Sequence, residues 1–190
     1  MNKQEQKEAR EYMDQTMNQK QGKVLGLLAF FLSTALLIWL DQWTKGLAVA
    51  HLKDQQEIVI LKGVFELRYL ENRGAAFGML QGRQAFFFMV AIAVFLLVIY
   101  ALYRMPFTRH YLPLGGCITL LLAGALGNMI DRVSQQYVVD FLYFCLIDFP
   151  IFNVADCYVT VSAFLLVLLI LFYYKDEDLE IFTWKRGKAS

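Results

Sequence analysis

The chain has 190 residues, 58% of them hydrophobic, with a mean hydropathy of +0.44 and a net charge of +1. That apolar content excludes an ordinary soluble domain and points to a membrane protein. The balanced charge, with no basic stripe or recognition motif, excludes a nucleic-acid binder.

The chain opens on a polar tail, residues 1–21, in which Glu5, Glu8, Glu11 and Asp14 alternate with Lys3, Lys7 and Arg10. It reads as a solvated, partly helical extension without visible chemistry. Residues 24–40 form the first long apolar run, expected to continue as helix past Asp41. It is not a cleavable signal peptide, because a polar tail precedes it and Asp41 and Lys45 follow it without a small-residue cleavage site. Residues 52–83 come next. Phe65, Leu67 and Tyr69 alternate there with Glu66 and Arg68, the period of a half-buried strand, and residues 58–61 are a second apolar run. Lys62-Gly63 between them reads as a turn, so a hairpin or short sheet resting on the membrane surface is expected. Apolar runs at 84–103, 112–130 and 154–174 follow, each close to the ~20 residues that cross a bilayer. Gly115, Gly116, Gly124 and Gly127 mark the third run as the central helix, since small residues let backbones approach. A second tail, 176–190, closes the chain.

The flanks orient the spans. Lys20 and Lys23 precede the first, Arg104, Arg109 and His110 join the second and third, and Lys175, Lys185, Arg186 and Lys188 follow the fourth. These regions share one side, and the positive-inside rule makes it cytoplasmic. Segment 41–83 also carries cations but mixes them with Asp41, Asp54, Glu57, Glu66 and Glu71. Both termini are therefore expected inside, with 41–83 and 131–153 outside.

Polar residues gather where the spans should end. Asp41 and Lys45, four apart, form an ion pair on one helix face; they either snorkel to end the span or brace a site. Asn128 and Arg132, also four apart, point together toward a backbone or carboxylate, unless Arg132 only complements the helix dipole. Asn153 and Asp156 fit the N-cap and third position of the last helix. Capping does not explain why Asp140 and Asp156 flank the same outer loop. Asp140 is isolated in Tyr137-Val-Val-Asp-Phe-Leu-Tyr-Phe. Two carboxylates brought together cannot both ionise comfortably, so one keeps a proton; that supplies an acid and a base, the chemistry of an aspartic peptidase. Whether Asp140 and Asp156 meet is not legible, and Asp131 and Asp148 are also available. His51 and His110 fall on opposite sides, which leaves no serine triad and no zinc site. Cys117 reads as a core residue, and pairing of Cys145 with Cys157 is left open. The rival functions are a small transporter, disfavoured because the polar groups sit at one edge rather than the midplane, and a scaffold that would need neither aspartate.

Five motifs stand in order: Asp41-Gln-Trp-Thr-Lys45, Asn72-Arg-Gly-Ala-Ala-Phe77, Gly127-Asn-Met-Ile-Asp-Arg132, Val138-Val-Asp-Phe141 and Phe152-Asn-Val-Ala-Asp156. Together they resemble the lipoprotein signal peptidase family, signal peptidase II, over residues 24–174. The resemblance implies an all-α membrane protein of four transmembrane helices with a small β-cradle, about 52–83, on the outer, periplasmic side. The membrane peptidase domain would span 22–175, between the two cytoplasmic tails. The family implies a monomeric inner-membrane aspartic endopeptidase, without metal or cofactor, whose partners are membrane lipid and diacylglyceryl-modified prolipoprotein. It would cut on the N-terminal side of the lipidated cysteine. Carried over by motif, Asp140 and Asp156 are the catalytic dyad. Asn128, Arg132, Asn153, Asn72 and Gly74 bind substrate, and Asp41, Lys45 and Asp131 support the site. Asp131 is ranked structural because it adjoins Arg132 and can pair with it. Three departures leave every motif residue in place: Cys157 stands where the family often has Ser, the N-terminal tail is long, and the stretch from Asp140 to Asp156 is short.

Overall fold

The computed structural model describes residues 3–74 and 84–183. Helix α1 (Lys3–Leu52) leads into strands β1 (Ile58–Leu61) and β2 (Phe65–Asn72); α2 (Gln84–Arg104), α3 (Leu112–Gln135), β3 (Val138–Tyr143), α4 (Val154–Leu168) and the short α5 (Asp176–Leu179) follow. Among the described residues, four stretches are long and apolar enough to cross a membrane: Lys20–Leu52, Ala85–Arg104, Arg109–Gln135 and Val154–Tyr173. Their apolar side chains face outward as well as inward. The span Ala85–Arg104 has a mean hydropathy of 2.9 with only 6% of it buried within the protein, which suits lipid as the solvent.

The polar tail is helix from Lys3 onward, continuous with the first span over 50 residues. That makes α1 about 75 Å long, more than twice the bilayer core. Glu, Lys, Gln, Arg and Met are all good helix formers, and no proline interrupts them.

Helix α3 is central, packing on α1, α2 and α4. Two of its four glycines make that possible. A Cβ at Gly124 would lie 2.5 Å from the Ala155 carbonyl oxygen, and one at Gly127 would lie 2.6 Å from Asp41 Oδ2. At Gly116 the space is open, so the small-residue signal overstated its contribution. The helix runs five residues beyond the expected 112–130 span, to Gln135, and Gln136 ends it in the left-handed region at φ 66°.

The expected hairpin is present, with Gly63 at φ +73° in its turn. The unexpected element is β3, which extends it to an antiparallel sheet of order β1-β2-β3 and pairs Leu70 with Asp140 and Asn72 with Val138. Residues 138–141 are buried on both faces, so Val138, Val139 and Phe141 lie on either side of the sheet and no apolar–polar alternation marks the strand. Residues 75–83, the rest of the expected cradle and the end of the Asn72–Phe77 motif, lie outside the described residues.

The core falls into two parts. At the end away from the sheet Phe30, Val98, Met105, Tyr111, Leu114, Ile118, Leu122 and Tyr174 pack together, with Ile181 and Phe182 folded against them. Near the sheet, Ala48 and Leu52 of α1 pack on Val139 and Phe141. Strand alternation sends Asp140, between those two, to the opposite face.

Candidate active site

The N-terminus of α4 begins the site. Asn153 is its cap: Asn153 Oδ1 accepts from the Asp156 amide at 3.0 Å, and Asp156 Oδ2 accepts from the Asn153 amide at 3.2 Å. This reciprocal box satisfies two amide groups that a helix start leaves unpaired. It also leaves the Asn153 Nδ2 protons free to reach elsewhere. They donate to Asp140 Oδ1 at 2.6 Å and to Asn128 Oδ1 at 3.1 Å. Asn128 Nδ2 in turn donates to Asp156 Oδ1 at 2.7 Å. Capping and site-building are thus one arrangement, and two amides link Asp140 to Asp156. The remaining oxygen, Asp140 Oδ2, accepts from Asn72 Nδ2 of β2 at 2.8 Å, while Asn72 Oδ1 accepts from the Gly74 amide at 2.9 Å.

Behind this lies a charge cluster. Lys45 Nζ contacts Asp41 Oδ2 at 2.9 Å, Asp131 Oδ2 at 3.0 Å and Asn128 Oδ1 at 2.9 Å. Three acceptors match the three protons of an ammonium. Lys45 is 3% exposed and Asp41 0%, which rejects the snorkelling alternative: the pair points into the protein.

One expectation fails. Asp131 does not pair with Arg132: among the described residues its partners are Lys45, Gln42 and the Val139 amide. Neighbours in a helix point about 100° apart and do not face each other. Asn128 and Arg132 border one groove, between α2, α3 and α4. The Arg132 guanidinium lies 4.2 Å from the Phe87 ring of α2, and Nη1 donates to the Asn128 carbonyl at 3.2 Å. Asp148 lies apart, accepting from the exposed Tyr143 hydroxyl at 2.7 Å. Cys117, Cys145 and Cys157 are all free thiols.

Gln42 is the polar residue that sequence reasoning passed over. Its Nε2 donates to Asp131 Oδ1 at 2.9 Å, Asp41 Oδ2 at 3.1 Å and the Gly127 carbonyl at 3.2 Å. Its place inside a quoted motif at a span's end was the only available signal.

Burial, and next the negative charge of Asp156, push the Asp140 carboxyl up to about 7; hydrogen bonds from Asn72 and Asn153 and the charge of Lys45 oppose the rise. The group therefore carries a proton for much of the time near neutrality. A groove of about 220 Å³ between α2, α3 and α4, lined by Phe87, Val90, Val94, Leu121, Met129 and Val159, reaches Asn128 and Arg132. The arrangement offers two carboxyls joined through two amides, and an apolar groove leading to them.

Comparison with known proteins gives this arrangement a family. The family model described as Signal peptidase (SPase) II matches residues 33–172. The chain belongs to the signal peptidase II family. A lipoprotein signal peptidase of Caldanaerobacter subterraneus subsp. tengcongensis is 42% identical over 139 residues, covering 73% of this chain and 92% of the relative. One of Streptococcus thermophilus is 42% identical over 142 residues, covering 75% and 90%. A solved structure described as a bacterial membrane enzyme, determined by the in meso method at 1.9 Å, superposes with a TM-score of 0.65 at 32% identity, covering 77% of this chain and 94% of the other. The chain is thus a lipoprotein signal peptidase family enzyme, a multi-pass bacterial membrane protein. Every side chain of the cluster lies inside the family match; the N-terminal tail 1–21 and the fold around α5 lie outside it.

Proposed function

We propose that this family member is an aspartic endopeptidase that removes the signal peptide of diacylglyceryl-modified prolipoproteins, cutting on the N-terminal side of the lipidated cysteine. The observation that carries the reading is the link from Asp140 through Asn153 and Asn128 to Asp156. In this mechanism the dyad shares one proton. Asp140, the carboxyl pushed up to about 7, supplies it to the scissile carbonyl oxygen while Asp156 takes a proton from the attacking water. Collapse of the resulting gem-diol breaks the C–N bond: Asp156 passes the water's proton to the leaving amine nitrogen, and a gem-diol hydroxyl returns a proton to Asp140 as the carboxylic acid forms. Asn128 and Asn153 hold both carboxylates in register. Asn72, Gly74 and Arg132 contact the substrate backbone, and the α2–α3–α4 groove takes apolar parts of the substrate. Lipid surrounds the spans and the enzyme acts as a monomer.

The cationic flanks Lys20, Lys23, Arg109 and Lys175 support an orientation with both termini cytoplasmic and the dyad near the outer face. Residues 22–175 then form the membrane peptidase domain, with 1–21 and 176–190 as cytoplasmic tails.

The test is cleavage of a diacylglyceryl-modified prolipoprotein by purified protein in detergent or lipid, with the product ends read by mass spectrometry. Asp140→Asn and Asp156→Asn are expected to fold and to lose activity by ~10³-fold or more. Full activity in either folded variant removes that aspartate from the dyad.

A further inference from the structure

The two aspartates sit on different elements, β3 and α4, which Asn153 and the backbone bonds of Phe152 to Phe141 and Leu142 join on one side. The residue before each one is held from outside. The Ala155 amide, one residue before Asp156, donates to Asp41 Oδ1 at 2.9 Å. The Val139 amide, one residue before Asp140, donates to Asp131 Oδ2 at 3.1 Å. Asp41 and Asp131 are then clasped together from two directions, by the Lys45 ammonium and by the Gln42 carboxamide. Gly127 admits this close approach, because a Cβ there would collide with Asp41. The path runs Asp156, Ala155 amide, Asp41, Lys45 with Gln42, Asp131, Val139 amide, Asp140.

We infer that Asp41, Gln42, Lys45 and Asp131 form a clamp that sets the separation of the two aspartates by gripping the amide ahead of each, and that Gln42 is a positioning residue of the site. The inference rests on the dyad assigned above. Gln42 suits the task because it is a neutral donor. A carboxylate there would repel Asp41 and Asp131, and a second cation would draw negative charge away from Lys45. Both gripped carboxylates are buried, so losing one donor shifts them rather than being made good by water.

The experiment uses the full-length protein in detergent, with Gln42→Met, which preserves volume and removes the donors, and the pair Asp131→Asn and Asp131→Ala. Amide exchange is followed at Val139 and Ala155, kcat and KM are measured on diacylglyceryl-modified prolipoprotein, and Tm is recorded. Gln42→Met is expected to exchange faster at both amides and to lose roughly 10- to 100-fold in kcat at near-native Tm. Its KM should stay within about twofold of the native value. Asp131→Asn keeps an acceptor for the Val139 amide, so it should protect that amide and retain more kcat than Asp131→Ala. Native exchange and native kcat in Gln42→Met overturn the clamp. So does equal damage in the two Asp131 variants, which also decides the matter if Gln42→Met does not fold. If the native chain cleaves nothing, the dyad reading fails. The exchange arm still decides the clamp: faster exchange at both amides supports it and unchanged exchange overturns it.

Discussion

The two ends of the bundle are held by different forces. At the sheet end, Asp41, Lys45, Asp131, Asp140 and Asn153 are all nearly or fully buried and bind one another through charge and amide hydrogen bonds. At the opposite end, Phe30, Val98, Leu114 and Ile118 bury apolar area. Polar contacts there work at the margin: Tyr111 hydroxyl donates to the Asp178 carbonyl at 2.9 Å, and Arg104 Nη2 to the Thr183 carbonyl at 3.0 Å. His110 adds an ion-pair contact to Asp178 at 3.0 Å and stacks on Tyr173. The difference teaches where each end is fragile. Removing one member of a buried polar network strands its partners, whereas an apolar cluster loses only in proportion to the area and volume removed.

The largest effect on stability is therefore expected from Lys45→Met. It leaves Asp41 and Asp131 buried beside each other without their cation and should cost about 3–5 kcal/mol, read by thermal unfolding in detergent. Equal Tm values for this variant and the native protein would break the contrast between the ends. Gly124→Ala should come next. Its Cβ would press on the Ala155 carbonyl and force α3 from α4, at a cost of roughly 1–3 kcal/mol and with a lower cleavage rate, while Gly116→Ala, in open space, should change neither. Tyr111→Phe should be the mildest, about 1 kcal/mol with kcat unchanged, because its ring stays packed and only one hydrogen bond goes.

The pH dependence sharpens the same contrast. Asp140 lies above the ordinary carboxylate range, so its protonated form is favoured by the fold. Its contribution to stability is fully present below the unfolded value near 4 and is lost as pH rises through about 7. Asp140→Asn should thus gain Tm over the native protein at pH 8 more than at pH 5. On the proposed mechanism the native cleavage rate should fall as pH rises through about 7, where Asp140 loses its proton; a rate that keeps climbing past pH 8 would count against a shared proton. Asp156→Asn removes the second cause of the upward shift, so the Asp140 carboxyl should titrate at lower pH, as seen by carboxyl carbon NMR.

Much of this was visible along the chain because it depends on local period and length. Apolar runs of span length became membrane helices, Lys62-Gly63 became the hairpin turn, and the four-residue spacing of Asp41 and Lys45 became an ion pair. The Asn153–Asp156 spacing was enough for a capping box. The third strand was not visible, because a strand buried on both faces has no alternation. The partner of Asp131 was not visible either, because its neighbour in sequence, Arg132, points to another side of α3 while Lys45 reaches it from α1.

The sequence by itself determined the membrane class, the four spans and the short-range pairs, since hydropathy and helical period act within one segment. Five ordered motifs also carried enough information to mark the family. Only the tertiary structure decided that Asn153 and Asn128 join Asp140 to Asp156, that Gln42 reaches Asp131, and that the amides of Val139 and Ala155 are gripped from α3 and α1. Those contacts link residues from separate helices and a strand. Their distances depend on how closely α1, α3 and α4 pack, which glycines such as Gly124 and Gly127 permit but no local pattern specifies.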